Sequence, residues 1–455
     1  MNLGIRIRQY ILAGFILSTL VTNGATTGNT SQTQPNIILL FADDLGWVDI
    51  STGNPNGGRG SKVYETPNID RIATEGMSFT HAYTQQNCAP TRASLISGMY
   101  ATGAGNGVYN VTSLSRQDRR TEGYPNLPIV PHEQRKFIPD NGVSIFNMAK
   151  KAGYHTCFIG KSHGTPHPLV RGYGLNVHGD VHHAITGTVK GKRVQSYYLA
   201  VKDDKRGWTF KSRYVNKYAS PYDQNYVDET LAPFKGQSDL SQLPGSAKHL
   251  TDAIGDFCVD YIRDKAGDAK PFFLYVPFHA VHYKVVGRKD LVAKYKSRGL
   301  DSKTAEYAGM VELLDQNIGK IANAMKDPNG DGDTSDDLSA NTLFIVYSDN
   351  GGIYGNAPLT GGKGVFTEGG IRVPLICKWD GVIAPNTISS QSVHCIDLYP
   401  TLAEFAGIEI SDLSDVSLDG VSFAQILTGK TKRLDRENLF WHFPGSWEID
   451  CAPPQ

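Results

Sequence analysis

Ile37-Ile38-Leu39-Leu40-Phe41-Ala42-Asp43-Asp44 is the stretch that decides the fold. A continuous apolar run is what a strand covered on both faces requires, and here it runs straight into two carboxylates. Outward from it, strand-like and helix-like segments alternate. Thr66-Pro67 opens a helix, with Thr66 as cap and Pro67 in the first turn, and Gly76 closes it. Met77 to Tyr83 reads as the next strand. Gly142 to Gly153 is an amphipathic helix with Ile145, Met148, Ala149 and Ala152 on one face. Strands are expected at His155–Ile159, Phe272–Phe278, Thr342–Ser348 and Val373–Lys378, and long helical patterns fill 249–265 and 303–326. This alternation predicts an α/β fold, with a largely parallel central sheet flanked by helices. Residues 164–245 are rich in Gly, Tyr, His and Lys, lack clear periodicity, and are expected to form insertions around a site.

The residues just past each strand carry the chemistry. Ile37–Ala42 leads to Asp43-Asp44, Met77–Tyr83 to Cys88, His155–Ile159 to Lys161 and His163, Phe272–Phe278 to His279 and His282, and Thr342–Ser348 to Asp349-Asn350. Open α/β sheets bind ligands beyond the carboxyl ends of their strands. One polar residue after a strand is ordinarily solvated loop; five reactive clusters in the same position argue for a site. Asp43, Asp44, Asp349 and Asn350 offer only oxygen, which suits a hard cation, Ca²⁺ before Mg²⁺, rather than Zn²⁺. Adjacent aspartates repel, and a cation or a raised pKa is needed to hold them together. Alone, Asp349-Asn350-Gly351-Gly352 reads equally well as a turn. Cys88-Ala89-Pro90-Thr91-Arg92 precedes a helix-like stretch, so its thiol would sit near a helix N-terminus. That placement suggests a reactive thiolate or an anion-binding turn.

Bulk properties bound the rest. The chain has 455 residues, with Lys+Arg and Asp+Glu balanced at 45 each. There is no basic footprint for nucleic acid, while a local cationic pocket for a small anion stays open. Arg6 and Arg8 precede an apolar run, Ile11 to Val21, and small residues come after it at Gly24-Ala25. The run is shorter than the roughly 20 residues of a membrane span. It reads as a signal peptide over residues 1–25, cleaved near 25, with an uncleaved anchor as the alternative. A periplasmic or secreted protein is expected, with no stable membrane span. The six cysteines are Cys88, Cys157, Cys258, Cys377, Cys395 and Cys451; disulfides are permitted, and their pairing is open. Cys157, Cys258 and Cys377 lie in apolar surroundings that suit buried, inert thiols.

Cys88-Ala89-Pro90-Thr91-Arg92, with Ser94, Leu95 and Gly98, resembles the signature of the type I sulfatases. Gly160-Lys161-Ser162-His163 resembles the Gly-Lys-x-His segment of that family. Asp43-Asp44 and Asp349-Asn350-Gly351 match its metal pairs, Phe278-His279-Ala280-Val281-His282 its histidine segment, and Gly361-Gly362-Lys363-Gly364 with Glu368-Gly369-Gly370 its late lysine motif. The resemblance covers roughly residues 35 to 430. It implies an alkaline-phosphatase-like fold, with a catalytic domain over residues 33–430 and the start of a small C-terminal subdomain at 431–455 that looks incomplete. It also implies that a maturation enzyme oxidises Cys88 to formylglycine (3-oxoalanine), and that Asp43, Asp44, residue 88, Asp349 and Asn350 surround a calcium ion.

The activity implied is hydrolysis of sulfate esters. One hydroxyl of the hydrated aldehyde attacks sulfur; loss of a proton from the other collapses the hemiacetal and releases sulfate. Arg92, Lys161 and Lys363 would stabilise charge on the sulfuryl oxygens. His163 would take the proton, and His282, alone or with Lys363, would protonate the leaving oxygen; such help is typically worth about 10²–10⁴-fold. His279 is a candidate for substrate binding or structural support. Asn106 and the histidines His167, His178, His182 and His183 suit hydrogen bonds to a sulfated carbohydrate, as in sulfatases of polysaccharide-degrading bacteria, or simple loop packing. Rivals are a phosphatase or phosphodiesterase of the same superfamily and a non-catalytic sulfated-glycan binder. Asp327-Pro328-Asn329-Gly330-Asp331-Gly332-Asp333 opens like an EF-hand loop, but Leu338 stands where the closing Glu would be. A polar surface loop is expected there rather than a second calcium site.

Overall fold

The computed structural model of the protein describes residues 34–102, 138, 144–163, 175–178, 185–189, 192–198, 200–203, 207–210, 218, 220–413 and 417–442. The strands are β1 (Asn36–Ala42), β2 (Met77–Phe79), β3 (Ala82–Tyr83), β4 (His155–Gly160), β5 (Leu175–His178), β6 (Ile185–Val189), β7 (Lys192–Ser196), β8 (Ala200–Asp203), β9 (Gly207–Phe210), β10 (Phe272–Pro277), β11 (Thr342–Ser348), β12 (Leu375–Lys378), β13 (Thr387–Ser389) and β14 (Val393–His394). The helices that matter are α1 (Pro67–Glu75), α2 (Cys88–Ser97), α3 (Ile145–Lys151), α4 (Leu250–Lys265), α5 (Lys289–Ser297), α6 (Ser302–Lys326) and α7 (Leu398–Phe405).

Eight strands form one sheet in the order β13-β2-β12-β11-β1-β10-β4-β5. All neighbours are parallel except β12, which runs against both β11 and β2. β1 lies at the centre, and all its residues are buried. Its side chains alternate between the two faces. Ile37, Leu39 and Phe41 join a core with Phe273, Tyr275 and Leu343, closed by residues of α2, α3 and α7. Ile38, Leu40 and Ala42 join another with Leu274, Val276 and Phe344, closed by α1, α4 and α6. Burial on both faces is why the sequence there is an unbroken apolar run.

Three expectations change in detail. The Met77–Tyr83 strand breaks at Thr80-His81, because the chain leaves the main sheet after β2 and β3 pairs with β14 instead. The Val373–Lys378 strand begins only at Leu375, after Pro374, and is the antiparallel one. Thr66 does not cap α1: its hydroxyl faces Ser51 and Asp70, while the first N–H groups of the helix go to Asp315 on α6. Gly76 ends α1 as expected, in an extended conformation; a Cβ there would lie 2.3 Å from the Cys377 carbonyl oxygen, so glycine is also needed for the close crossing of β12.

Residues 164–245 are more regular than their composition suggests. β5 extends the main sheet, β6–β7 and β8–β9 are hairpins, and Tyr222, Val227, Leu231 and Phe234 build a small core of their own. Asp327 closes the 327–338 loop on itself, accepting from the N–H groups of Gly330 (2.7 Å) and Gly332 (2.9 Å), and the loop is largely exposed. Cys88, Cys157, Cys258, Cys377 and Cys395 are buried and unbridged; Cys451 lies outside the described residues, as does the N-terminal apolar run. Among the described residues no helix is long and apolar enough to cross a membrane.

Candidate active site

The site begins where β1 ends. Asp44 adopts φ +62°, a left-handed conformation uncommon outside glycine. The turn is pinned on both flanks. Asp43 N donates to Ala280 O (2.9 Å) after β10, and Asp44 N donates to Asp349 Oδ1 (3.0 Å) after β11. Leu45 N donates to Ser348 Oγ (3.1 Å). This locking brings the two successive carboxylates into one polar cluster. Asn350 Nδ2 donates to Asp44 Oδ1 (2.8 Å), while Asn350 Oδ1 is buried with no hydrogen-bond partner.

Asn87 accepts from Cys88 N (2.9 Å) and so starts α2 at the cysteine. The Cys88 thiol lies 3.4 Å from Asp43 Oδ1 and 3.9 Å from Asp44 Oδ1. One helical turn on, and hence on the same face, Arg92 donates to Asp349 Oδ2 from Nε (3.1 Å) and Nη2 (2.7 Å). Lys161 comes after Gly160, whose φ of +129° and close approach to Pro277 O leave no room for a side chain. Its Nζ meets Asp43 Oδ2 at 2.5 Å. Lys363 Nζ donates to Asp44 Oδ2 at 2.8 Å. His282 Nε2 lies 3.7 Å from the same oxygen, and its Nδ1 donates to Tyr283 O (2.5 Å). Tyr197 OH donates to the carbonyls of both His279 (2.7 Å) and His282 (2.9 Å), fixing that loop. His163 and His279 are buried at the ends of β4 and β10.

Burial alone would raise Asp44, but Lys363, His282 and Lys161 together hold it below the usual carboxylate range. Asp349 is pushed up to about 6 by burial and by Asp43, against the pull of Arg92. His282 is held down to about 3, by burial first and then by Lys363. The Cys88 thiol is pushed up by burial and by Asp349. The expected thiolate is therefore corrected: the surrounding carboxylates and loss of water outweigh the helix N-terminus, and residue 88 is held as a neutral thiol.

Most of the expected residues thus meet in one place. Asp43, Asp44, Cys88 and His282 bring ligand atoms within 4.8 Å of one another. The Asp349 carboxylate faces Arg92 and the Asp44 amide, and His282 stands as close to the cluster as an expected ligand would. The carboxylate oxygens of Asp43, Asp44 and Asp349, with an orphaned amide oxygen at Asn350, fit a hard cation. Asn106 and His167 lie outside the described residues, and of His178 only the strand backbone is described. Ser348, Tyr197, Asp49 and Tyr307 support the site and were not expected. Asp49 was visible as a third carboxylate five residues after Asp44; Tyr197 carried no signal at all.

The sulfatase family model matches residues 35–408, a span that contains every side chain of this cluster. The chain belongs to the sulfatase family. This sulfatase is 47% identical to a sulfatase of Formosa agariphila, over 98% of its own length and 81% of that protein. It is 28% identical to N-acetylgalactosamine-6-sulfatase of Homo sapiens, over 92% of its length and 75% of that protein. The crystal structure of Ps i-CgsB in complex with k-i-k-neocarrahexaose superposes with a TM-score of 0.62 at 26% identity, covering 86% of this chain and 76% of that one. The sulfatase is a sulfuric ester hydrolase, and its mostly parallel α/β sheet is that of alkaline-phosphatase-like enzymes.

Proposed function

We propose that this sulfatase removes sulfate from a carbohydrate, using Cys88 converted to formylglycine and a calcium ion held by Asp43, Asp44, Asp349 and Asn350. The observation that carries it is the seat of Cys88: first residue of a helix, against Asp43 and Asp44, with Lys161 and Lys363 on those same carboxylates. The hydrated aldehyde supplies the hydroxyl that attacks sulfur. The cation, when bound, polarises the sulfate oxygens and lowers the pKa of a neighbouring hydroxyl.

The remaining work falls to the chain itself. Arg92, Lys161 and Lys363 are held in place by buried carboxylates and need little reorganisation as charge builds on the sulfuryl oxygens. His282 has Nδ1–H committed to a carbonyl, so Nε2 is the atom that exchanges a proton with the leaving oxygen. His163 takes the proton whose loss releases sulfate. The carbohydrate assignment is supported by a relative named for a sulfated amino sugar and by a neighbour solved with neocarrahexaose. A periplasmic or secreted setting, where sulfated polysaccharide is met, is part of this proposal and is supported by the signal-peptide-like pattern of residues 1–25.

Replacing Cys88 with alanine or serine tests the reading. Aryl sulfate turnover that survived within about tenfold would refute it. Intact mass adds an independent check, since conversion to formylglycine removes about 18 Da. Release of free sulfate from a panel of sulfated oligosaccharides identifies the sugar. Faster turnover of p-nitrophenyl phosphate than of the sulfate would favour the phosphatase alternative.

A further inference from the structure

Behind the carboxylate cluster lies a second polar knot that touches no reacting atom. Asp49 and Tyr307 are both buried. Asp49 Oδ2 accepts from Gly46 N (2.7 Å) and from Tyr307 OH (2.6 Å). Asp49 N in turn donates to Gly46 O (3.1 Å), closing the turn that begins at Asp43-Asp44. The same hydroxyl lies 3.4 Å from the Asp44 carbonyl oxygen. Tyr307 is gripped edge-on by Tyr64 (5.3 Å, 70°) and Tyr354 (5.0 Å, 84°), so the hydroxyl has little freedom.

The knot also reaches the other ligand turn. A Cβ on Gly352, two residues after Asn350, would lie 2.8 Å from Asp49 Oδ2 and 3.1 Å from Gly46 Cα. A Cβ on Gly46 would lie 2.6 Å from Asp49 Oδ2 and 3.1 Å from Gly352 Cα. The two backbones therefore cross in contact at the Asp49 carboxylate. Gly352 O accepts from Asn356 Nδ2 (2.9 Å) and Lys363 N (3.3 Å), which carries the connection on to the site lysine.

We infer that Asp49 and Tyr307 are positioning residues that clamp the Asp43-Asp44 turn against the Asp349–Gly352 turn and thereby set the affinity for the divalent cation. Asp44 sits at φ +62°, a conformation that L-residues leave readily unless the surroundings hold it. Removing the Tyr307 hydroxyl leaves Asp49 with one donor fewer and frees the carbonyl side of Asp44. The carboxylates then lose their preset separation, and the cation must pay for ordering them. Outer residues of this kind typically alter metal affinity by about 10–100-fold.

This inference rests on the metal reading of the site, and calcium titration calorimetry on the full chain, stripped with chelator, separates the two. Tyr307→Phe is expected to weaken calcium binding by about tenfold or more, with only a small change in the unfolding temperature of the stripped protein. Asp49→Asn, which preserves shape, is expected to weaken it similarly and decides the matter on the same readout should Tyr307→Phe fail to fold. A merely structural role would lower the stripped protein's unfolding temperature and leave calcium affinity alone. A parent protein that binds calcium, with variants within about twofold of it, overturns the clamp alone. A parent that binds no calcium removes the metal reading and the clamp with it.

Discussion

His249 should make the stability of this sulfatase fall in mild acid. It caps α4, its Nδ1 accepting from Thr251 N (3.1 Å), and its Nε2 donates to Val286 O (2.9 Å). Both nitrogens are satisfied only in the neutral ring, because a proton on Nδ1 would leave the Thr251 N–H without an acceptor. The ring stacks on Tyr197 (5.4 Å, 7°), whose hydroxyl holds the His279 and His282 loop. Burial outweighs the opposing pull of Asp252 and holds His249 down to about 4, against an ordinary 6.5. The folded value is depressed, so its contribution is fully present above about pH 6.5 and is lost as pH falls toward about 4. The full loss is on the order of 3 kcal/mol, of which about 2 kcal/mol is gone by about pH 5. His249→Asn keeps a capping oxygen and removes the titration. Urea unfolding at about pH 7.5 and about pH 5 should show the parent losing about 2 kcal/mol more than the variant between the two. His394 is likewise held down to about 3 by burial and then Arg436, and so contributes equally to both proteins. Equal losses in parent and variant would refute the reasoning.

Other consequences arise from the same geometry. Arg92→Met strips two buried carboxylates, Asp349 and Asp43, of a shared cation; in chelator it should cost about 3–5 kcal/mol by urea unfolding, and a cost under about 1 kcal/mol would contradict the pairing. Asp315→Ala removes the acceptor for Asn68 N, Ile69 N and Asn68 Nδ2, all at the start of α1. A loss of about 2 kcal/mol and faster amide exchange in α1 are expected, and unchanged exchange would count against Asp315 as the cap. Calcium at about 100 times its dissociation constant should add about 2.7 kcal/mol to the stability of the chelator-stripped protein. A flat response of unfolding temperature to calcium would exclude a site among Asp43, Asp44, Asp349 and Asn350.

The parts legible from sequence share one physical cause. β1, β4, β10 and β11 are covered on both faces at their centres, so their central residues are apolar and the first ionisable residue after each strand marks the sheet edge. That is why Asp43, Lys161, His279 and Asp349 could be placed together from spacing alone. Thr66 marks the limit of local pattern. A threonine before Pro67 is a good local cap, but Asp315, 247 residues away from Asn68, already serves the helix. Gly76 does end α1, but the reason it must be glycine is a strand crossing at Cys377, far along the chain. Contacts of this range leave no periodic trace in a single chain. Tyr197 belongs with them: it lies in a stretch without pattern, yet its one hydroxyl orders two histidine carbonyls.

Charge balance is the other property that spacing could not supply. Asp43, Asp44 and Asp349 face Arg92, Lys161 and Lys363, so three carboxylates meet three cations with His282 neutral among them. Burying such a cluster is tolerable because every charge has a partner. The lysines are thereby held against the site carboxylates, Lys161 fully and Lys363 largely desolvated. On the proposed reading, a divalent cation shared among the same carboxylates would weaken their hold on Lys161 and Lys363 and turn a neutral pocket positive, which is the field a sulfate monoester requires. On the proposed mechanism the carboxylate-to-lysine contacts are therefore more than a stability device: they hold ready the cations assigned there to the sulfuryl oxygens.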